Sequence, residues 1–180
     1  MTTRNVSLIL TALGDDRPGL VEQLASTISR HQGNWLESSM SHLAGKFAGI
    51  VSIDLPQSQI EALEKSLAAL PDLRVTAEAS EPVTVAQKTA GQRKLKLSLV
   101  GHDRIGIVRE VSQILAQHAV NVESLATHTS SAPMSAAVLF HATAELTASP
   151  SLDARTLTAD LEKLSSDLMV DITLDETIRN

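Results

Sequence analysis

The chain has 180 residues, a net charge of −6 and no cysteine; 43% of it is apolar but only 2% aromatic. That length suits one medium domain or two small ones, with a core built from Leu, Val, Ile and Ala. Few rings and an acidic balance argue against a nucleic-acid surface, and the missing cysteine excludes disulfides and thiolate metal ligands.

In chain order, "MTTRNVSLILTAL" holds an apolar run too short for a signal segment, and no stretch approaches the roughly 18 apolar residues of a membrane span. A soluble, cytoplasmic protein is expected. Leu8, Leu10 and Ala12 alternate with their neighbours, predicting a strand. Leu20, Val21, Leu24 and Ile28 follow at helical spacing. "WLESSMSHL" and "KFAGIVSIDL" read as two strands joined by a tight turn at Gly45. Ser58 and Glu61 form a capping box before a helix on Ile60, Leu63, Leu67 and Leu70. "LRVTAEA" closes the series as a final strand.

"EASEPVTVAQKTAGQRK" shows no periodicity and reads as a linker. The same order then returns. Leu95, Leu97 and Leu99 alternate, and Ile107, Val111, Ile114 and Leu115 take helical spacing. "VESLATHTS" and "MSAAVLFHATAEL" predict strands joined near Pro133. Leu157, Leu161, Leu164 and Leu168 form a stripe with Ser151 or Asp153 as cap, and "LMVDITLDE" ends the unit. The expected fold is α+β: two ferredoxin-like βαββαβ domains, 1–80 and 93–180, joined by a linker at 81–92.

The repeat is also literal. With Gly14 laid on Gly101, the identities are Gly14, Asp16, Arg17, Gly19, Val21, His31 and Asn34, matched by Gly101, Asp103, Arg104, Gly106, Val108, His118 and Asn121. Beyond Asn34, laying "ESSMSH" over "ESLATH" shifts the frame by one, which reads as an insertion at or near Trp35 in the first copy. His42 then aligns with His128.

The repeated turn lies between first strand and first helix. Asp16 and Asp103 are expected to cap that helix, a contact whose loss typically costs about 1 kcal/mol. Pro18 suits a first helical turn. Gly19 and Gly106 let another chain or a ligand approach the backbone, and exposed helix amides favour an anion such as a metabolite's carboxylate. A capped glycine turn alone is ordinary structure; its recurrence in matching architecture, with an Asn returning near each second strand, favours a ligand.

"GDDRPGLVEQLASTISRHQGNW" and "GHDRIGIVREVSQILAQHAVNV" resemble the first loop, helix and strand entry of ACT domains, small amino-acid-sensing modules, and nearly the whole chain resembles two of them in tandem. "ESSMSHLAGKFAGIVSI" and "SSAPMSAAVLFHATAEL" are similar to segments of the glycine cleavage system transcriptional repressor group. The resemblance implies regulation without catalysis, with an amino acid, glycine first, bound where one module's loop meets another's second strand. Its candidate contacts are Asp16, Arg17, Pro18, Gly19 and Asn34, then Asp103, Arg104, Ile105, Gly106 and Asn121. Glycine-turn amides take the carboxylate, and the Asn or nearby carbonyls take the ammonium. It further implies action through a transcriptional activator protein rather than by direct DNA contact. Ile105 stands where the first copy has Pro18, so the two loops are not equivalent.

Three other readings compete. Zinc wants three or four convergent ligands, and the six histidines show no such spacing; His31 and His118 instead stand near helix ends, where a protonated ring suits the dipole. "GHDRIG" is similar to the sensor portion of formyltetrahydrofolate deformylases, but no G-x-S-x-G elbow or G-x-x-x-x-G-K run appears. A ligand-free interaction module is the third: second strands such as "ESSMSHL" are thinly charged edges suited to pairing, predicting a homo-oligomer.

Overall fold

Alternation of Leu8, Leu10 and Ala12 sends those side chains to one side of a strand, where all three are buried. That strand is β1 (Asn5–Asp15), and after it come α1 (Leu20–Arg30), β2 (Asn34–Leu43), β3 (Lys46–Pro56), α2 (Ile60–Ala68) and β4 (Leu73–Ser80). The computed structural model describes residues 4–80, 92–132, 137–168 and 170–176. The expected linker falls largely on residues 81–91 and the expected turn at Pro133 on 133–136, both outside the described residues.

The chain separates into two units, Met1–Thr84 and Val85–Asn180. In the first, the sheet order is β2-β3-β1-β4, every pair antiparallel. Leu20, Leu24 and Ile28 of α1 and Leu63 and Leu67 of α2 join Leu8, Leu10, Val51, Ile53 and Leu55 in one core, so both helices cover the same face. Burying each such side chain contributes roughly 1.5–3 kcal/mol. The second unit repeats this with β5 (Arg93–His102), α3 (Ile107–Gln117), β6 (Asn121–Ser131), β7 (Val138–Ala148), α4 (Ala154–Leu168) and β8 (Val170–Glu176), in the order β6-β7-β5-β8. Its core gathers Leu95, Leu97, Leu99, Ile107, Val111, Leu115, Leu146, Leu157 and Leu161. The fold is α+β, two ferredoxin-like βαββαβ units in tandem. No helix among the described residues is long and apolar enough to cross a membrane.

Turn chemistry explains the joints. Ala44 and Gly45 both take positive φ, 49° and 75°, which the two-residue hairpin between Leu43 and Lys46 requires. Gln32 and Ala119 are left-handed after the first helices, where the Gly33 amide donates to the Ile28 carbonyl (3.0 Å) and the Val120 amide to Leu115 (2.9 Å). Asp153 caps α4, its Oδ1 accepting from the Arg155 amide (3.1 Å) and the Thr156 amide (3.3 Å). Ser58 does not cap α2. Gln57–Gln59 already form a 3₁₀ turn, so Ser58 lies inside wound backbone, and Gln59 at the N-cap makes no side-chain bond.

The one-residue shift of frame after Asn34 does not occur. Both second strands bulge at the same place: Trp35 pairs Ile53 and Glu37 pairs Ser52, while Val122 pairs Leu146 and Ser124 pairs Glu145, so the bulges fall at Leu36 and Glu123. Gly14 faces Phe47 as Gly101 faces Phe140, so the copies stay in register. His42 pairs Phe47 and matches Thr129, which pairs Phe140; it does not match His128, which pairs His141. The difference in length lies in the hairpin, which is longer between β6 and β7 than between β2 and β3.

Candidate functional site

Each first helix begins on its glycine. Gly19 (φ 95°, ψ −5°) and Gly106 (φ 96°, ψ −5°) are left-handed N-caps without a side-chain cap. That conformation disfavours any residue with a Cβ. Asp16 and Asp103 therefore are not caps. They stand upstream of the N-cap, and what ties them down is backbone: the Asp16 amide donates to the Gly45 carbonyl and the Asp103 amide to Val138, both at 2.9 Å. Pro18 likewise precedes the helix instead of occupying its first turn. The opening amides of α1 and α3 lie before any intrahelical partner, and no side chain takes the cap's place.

The two turns differ in what covers them. At Gly19 an added Cβ would meet nothing within 4 Å, so the space is open. Arg17 points away, paired with Asp72 in the turn between α2 and β4. At Gly106 an added Cβ would meet Glu110 Oε1 at 3.4 Å, because Arg104 holds the Glu110 carboxylate, with Arg109 at 3.8 Å. Ile105, in the place of Pro18, is 99% exposed. Two buried side-chain atoms near these turns have no partner, Gln23 Oε1 on α1 and Arg104 Nε.

Beside the first turn lies a cleft of about 610 Å³, between the end of β1 at Gly14 and Asp15 and the α2–β4 turn at Pro71 and Asp72. Both signs of charge reach it, from Asp15 and Asp72 and from Lys46 and Arg74. The Lys46 ammonium bonds to Asp15 and holds its carboxyl below the usual carboxylate range, chiefly through that hydrogen bond and then through charge. Asp72 and Lys46 were not identifiable from sequence, since each meets the turn only through folding; Glu110, an acidic residue in the first turn of α3, carried a local signal.

Asn34 is not part of this arrangement within one unit. Asp15 pairs Lys46 at one end of the sheet, whereas Asn34 pairs Asp54 at the other, and Asp54 also pairs Ser7 near the start of β1. The intervening β3 spans about 26 Å at about 3.3 Å per residue. Asn121 is displaced from its own turn in the same way, pairing Thr147, and its amide donates to the bulged Glu123 at 2.6 Å. Asp16, Arg17, Pro18 and Gly19 thus form one group, Asp103, Arg104, Ile105 and Gly106 another, and each Asn stands apart.

The histidines have other work. His31 Nε2 lies 2.8 Å from Ser66 Oγ, and His118 Nε2 donates to Asp160 Oδ2 at 2.8 Å, so each ties the end of the first helix to the second. His128 and His141 stack with ring centroids 4.5 Å apart. Among the described residues no three His, Asp or Glu side chains gather as a metal site would require.

Residues 7–79 match the family model of the ACT domain. No curated protein sequence matches the chain. Among solved structures, an unknown protein from Galdieria sulphuraria is 26% identical with a TM-score of 0.82, over 97% of this chain and all of that one. A candidate glycine cleavage system transcriptional repressor is 21% identical with a TM-score of 0.74, over 98% of this chain and 99% of that one. A formyltetrahydrofolate deformylase from Pseudomonas syringae pv. tomato is 22% identical over 53% of this chain and 31% of its own, at a TM-score of 0.43, too low to argue from. The ACT match covers most of the first unit, the second unit repeats that unit's ferredoxin-like fold, and the chain as a whole resembles that repressor in structure.

Proposed function

We propose that this protein is a non-catalytic amino-acid sensor whose ligand, glycine first, binds at the turn of the first unit. The observation that carries the reading is the uncapped, left-handed start of α1 at Gly19, open to solvent, on the loop that follows Gly14 and Asp15 of a cleft bearing both signs of charge. A zwitterion suits such a place: helix amides receive the carboxylate, and Asp15 or Asp72 attracts the ammonium. The second turn is the weaker host, because Glu110 already lies over Gly106.

Asn34 enters only if another module supplies it. Exposure along β2 and β6 leaves both as edges able to pair, and homo-oligomerisation through such an edge is the means by which a second strand reaches a neighbouring loop. The acidic chain then acts in the cytoplasm on a transcriptional activator protein, without touching DNA itself, as the repressor resemblance suggests. Those exposed edges equally favour a second reading, a ligand-free interaction module.

A thermal-shift panel of the twenty amino acids distinguishes the two. A ligand at a hundredfold excess over its Kd stabilises by about 2.7 kcal/mol. A raised midpoint with glycine or another small amino acid supports sensing; no response to any of them leaves the interaction module.

A further inference from the structure

We infer that His128 and His141, side by side on the open face of the second sheet, form a two-point site for a divalent copper, nickel or zinc ion. This inference goes beyond amino-acid sensing and does not depend on it. The two residues pair directly across β6 and β7, and their rings stack with centroids 4.5 Å apart and planes within 2°. Phe140 and Ala142 flank His141 in sequence and belong to the core side of β7. Alternation therefore places His141 on the face turned away from the helices, with His128 beside it. His128 is exposed and His141 half-buried, so the pair meets solvent.

The first unit shows that the fold itself does not ask for this pair. Register puts Ser41 opposite Ala48 where the second unit has His128 opposite His141, and Leu43 where it has Ser130. Two imidazoles and a hydroxyl thus replace a hydroxyl, a methyl and an apolar side chain on otherwise matching strands. The surroundings leave the rings to each other. The neighbouring rows on this face carry Ala126 with Thr143 and Ser130 with Leu139, and Val100 follows His141 on β5. None of these five is charged, so no carboxylate or cation competes for the ring nitrogens.

The donors fix the chemistry. Imidazole suits copper, nickel and zinc, whereas magnesium and calcium want oxygen. Bonds of 2.0–2.1 Å about a tetrahedral ion set its two nitrogens roughly 3.3 Å apart, close to the spacing of the stacked rings. Parallel rings do not aim their lone pairs at one point, so one of them must turn. Ser130 Oγ lies 2.7 Å from His141 Nε2, which anchors that ring and leaves Nδ1 for the ion. His128, exposed on the edge strand β6, has room to turn toward it. Two imidazoles fall short of the three or four ligands of a permanent zinc site. Water completes the shell, the ion exchanges readily, and while bound it clips the edge strand β6 to β7.

Calorimetric titration of the full chain with copper, nickel, zinc and magnesium chlorides tests this. One equivalent of each of the first three ions should bind, copper the tightest, and magnesium should not. Ser130→Ala, which frees the anchored ring, should weaken nickel binding about 10-fold, the loss that follows removal of a supporting contact. His128→Ala and His141→Ala should each weaken it further, and His42→Ala, on the first unit's second strand, should leave it unchanged. All four positions lie on strand faces outside the two cores, so the variants should stay folded, which circular dichroism checks. Saturable binding that survives the combined His128→Ala and His141→Ala change overturns the inference, as does the absence of binding by copper, nickel and zinc alike.

Discussion

Arg104 closes on Glu110 across the second turn, whereas Arg17, its counterpart, reaches away to Asp72. Gln23 stands where the second copy has Glu110, and a neutral amide holds a guanidinium less strongly than a carboxylate does. The first turn is therefore the uncovered one. Glu110→Gln should release Arg104 and clear Gly106 of a competing negative charge. The expected result is an amino-acid response at the second turn with stability changed by less than about 1 kcal/mol, since the pair is partly exposed. Amide chemical shifts of Ile107 and Val108 during a glycine titration check it.

Gly19 and Gly14 should fail in different ways. Gly19→Ala forces a Cβ into left-handed backbone but meets open space, so the expected loss is about 1–2 kcal/mol with the fold retained. Gly14 has no such φ; an added Cβ there collides with the Asp72 carbonyl oxygen in the facing β4 turn. Gly14→Ala should be the more damaging change and should disturb the Arg17–Asp72 pair. Urea unfolding of the two variants gives the order.

Leu24 is fully buried between helix and sheet in the first unit, and Leu157 in the second. Truncating either to Ala should cost about 2–5 kcal/mol through lost transfer energy and the cavity left behind. Thermal unfolding followed by circular dichroism measures the loss.

Asp153 supplies a pH dependence. The Thr156 hydroxyl first, then the Thr156 and Arg155 amides, hold its carboxyl below the ordinary range. A depressed folded pKa means stability present above the unfolded value and lost as pH falls through the folded one. Asp153→Asn should therefore lower Tm at neutral pH, and the gap to the parent should close below about pH 4. Tm measured from pH 3 to 7 checks the sign.

Strands and helices were legible because burial follows period: Leu8, Leu10 and Ala12 point one way, and Leu20, Leu24 and Ile28 form one stripe. The glycine turns were legible because their recurrence marks a backbone requirement. Register was not. The chance likeness of "ESSMSH" to "ESLATH" implied a shift, whereas both second strands bulge at the same place, at Leu36 and at Glu123. Asp16 misled as a cap because nothing local shows that the chain takes its left-handed step at Gly19. Asn34 stands away from its own unit's turn because α1 carries the chain across the sheet before β2 begins, a displacement that the spacing of letters does not display. The Arg17–Asp72 pair joins distant segments, and no periodicity encodes it.

The most direct measurement is a backbone amide NMR titration of the protein with glycine. Saturable shifts concentrated on Gly19, Leu20, Val21 and Glu22, absent in Gly19→Val while its remaining spectrum stays folded, are predicted. Saturable binding that leaves those amides unmoved, or that survives the substitution, contradicts a carboxylate seated on the start of α1.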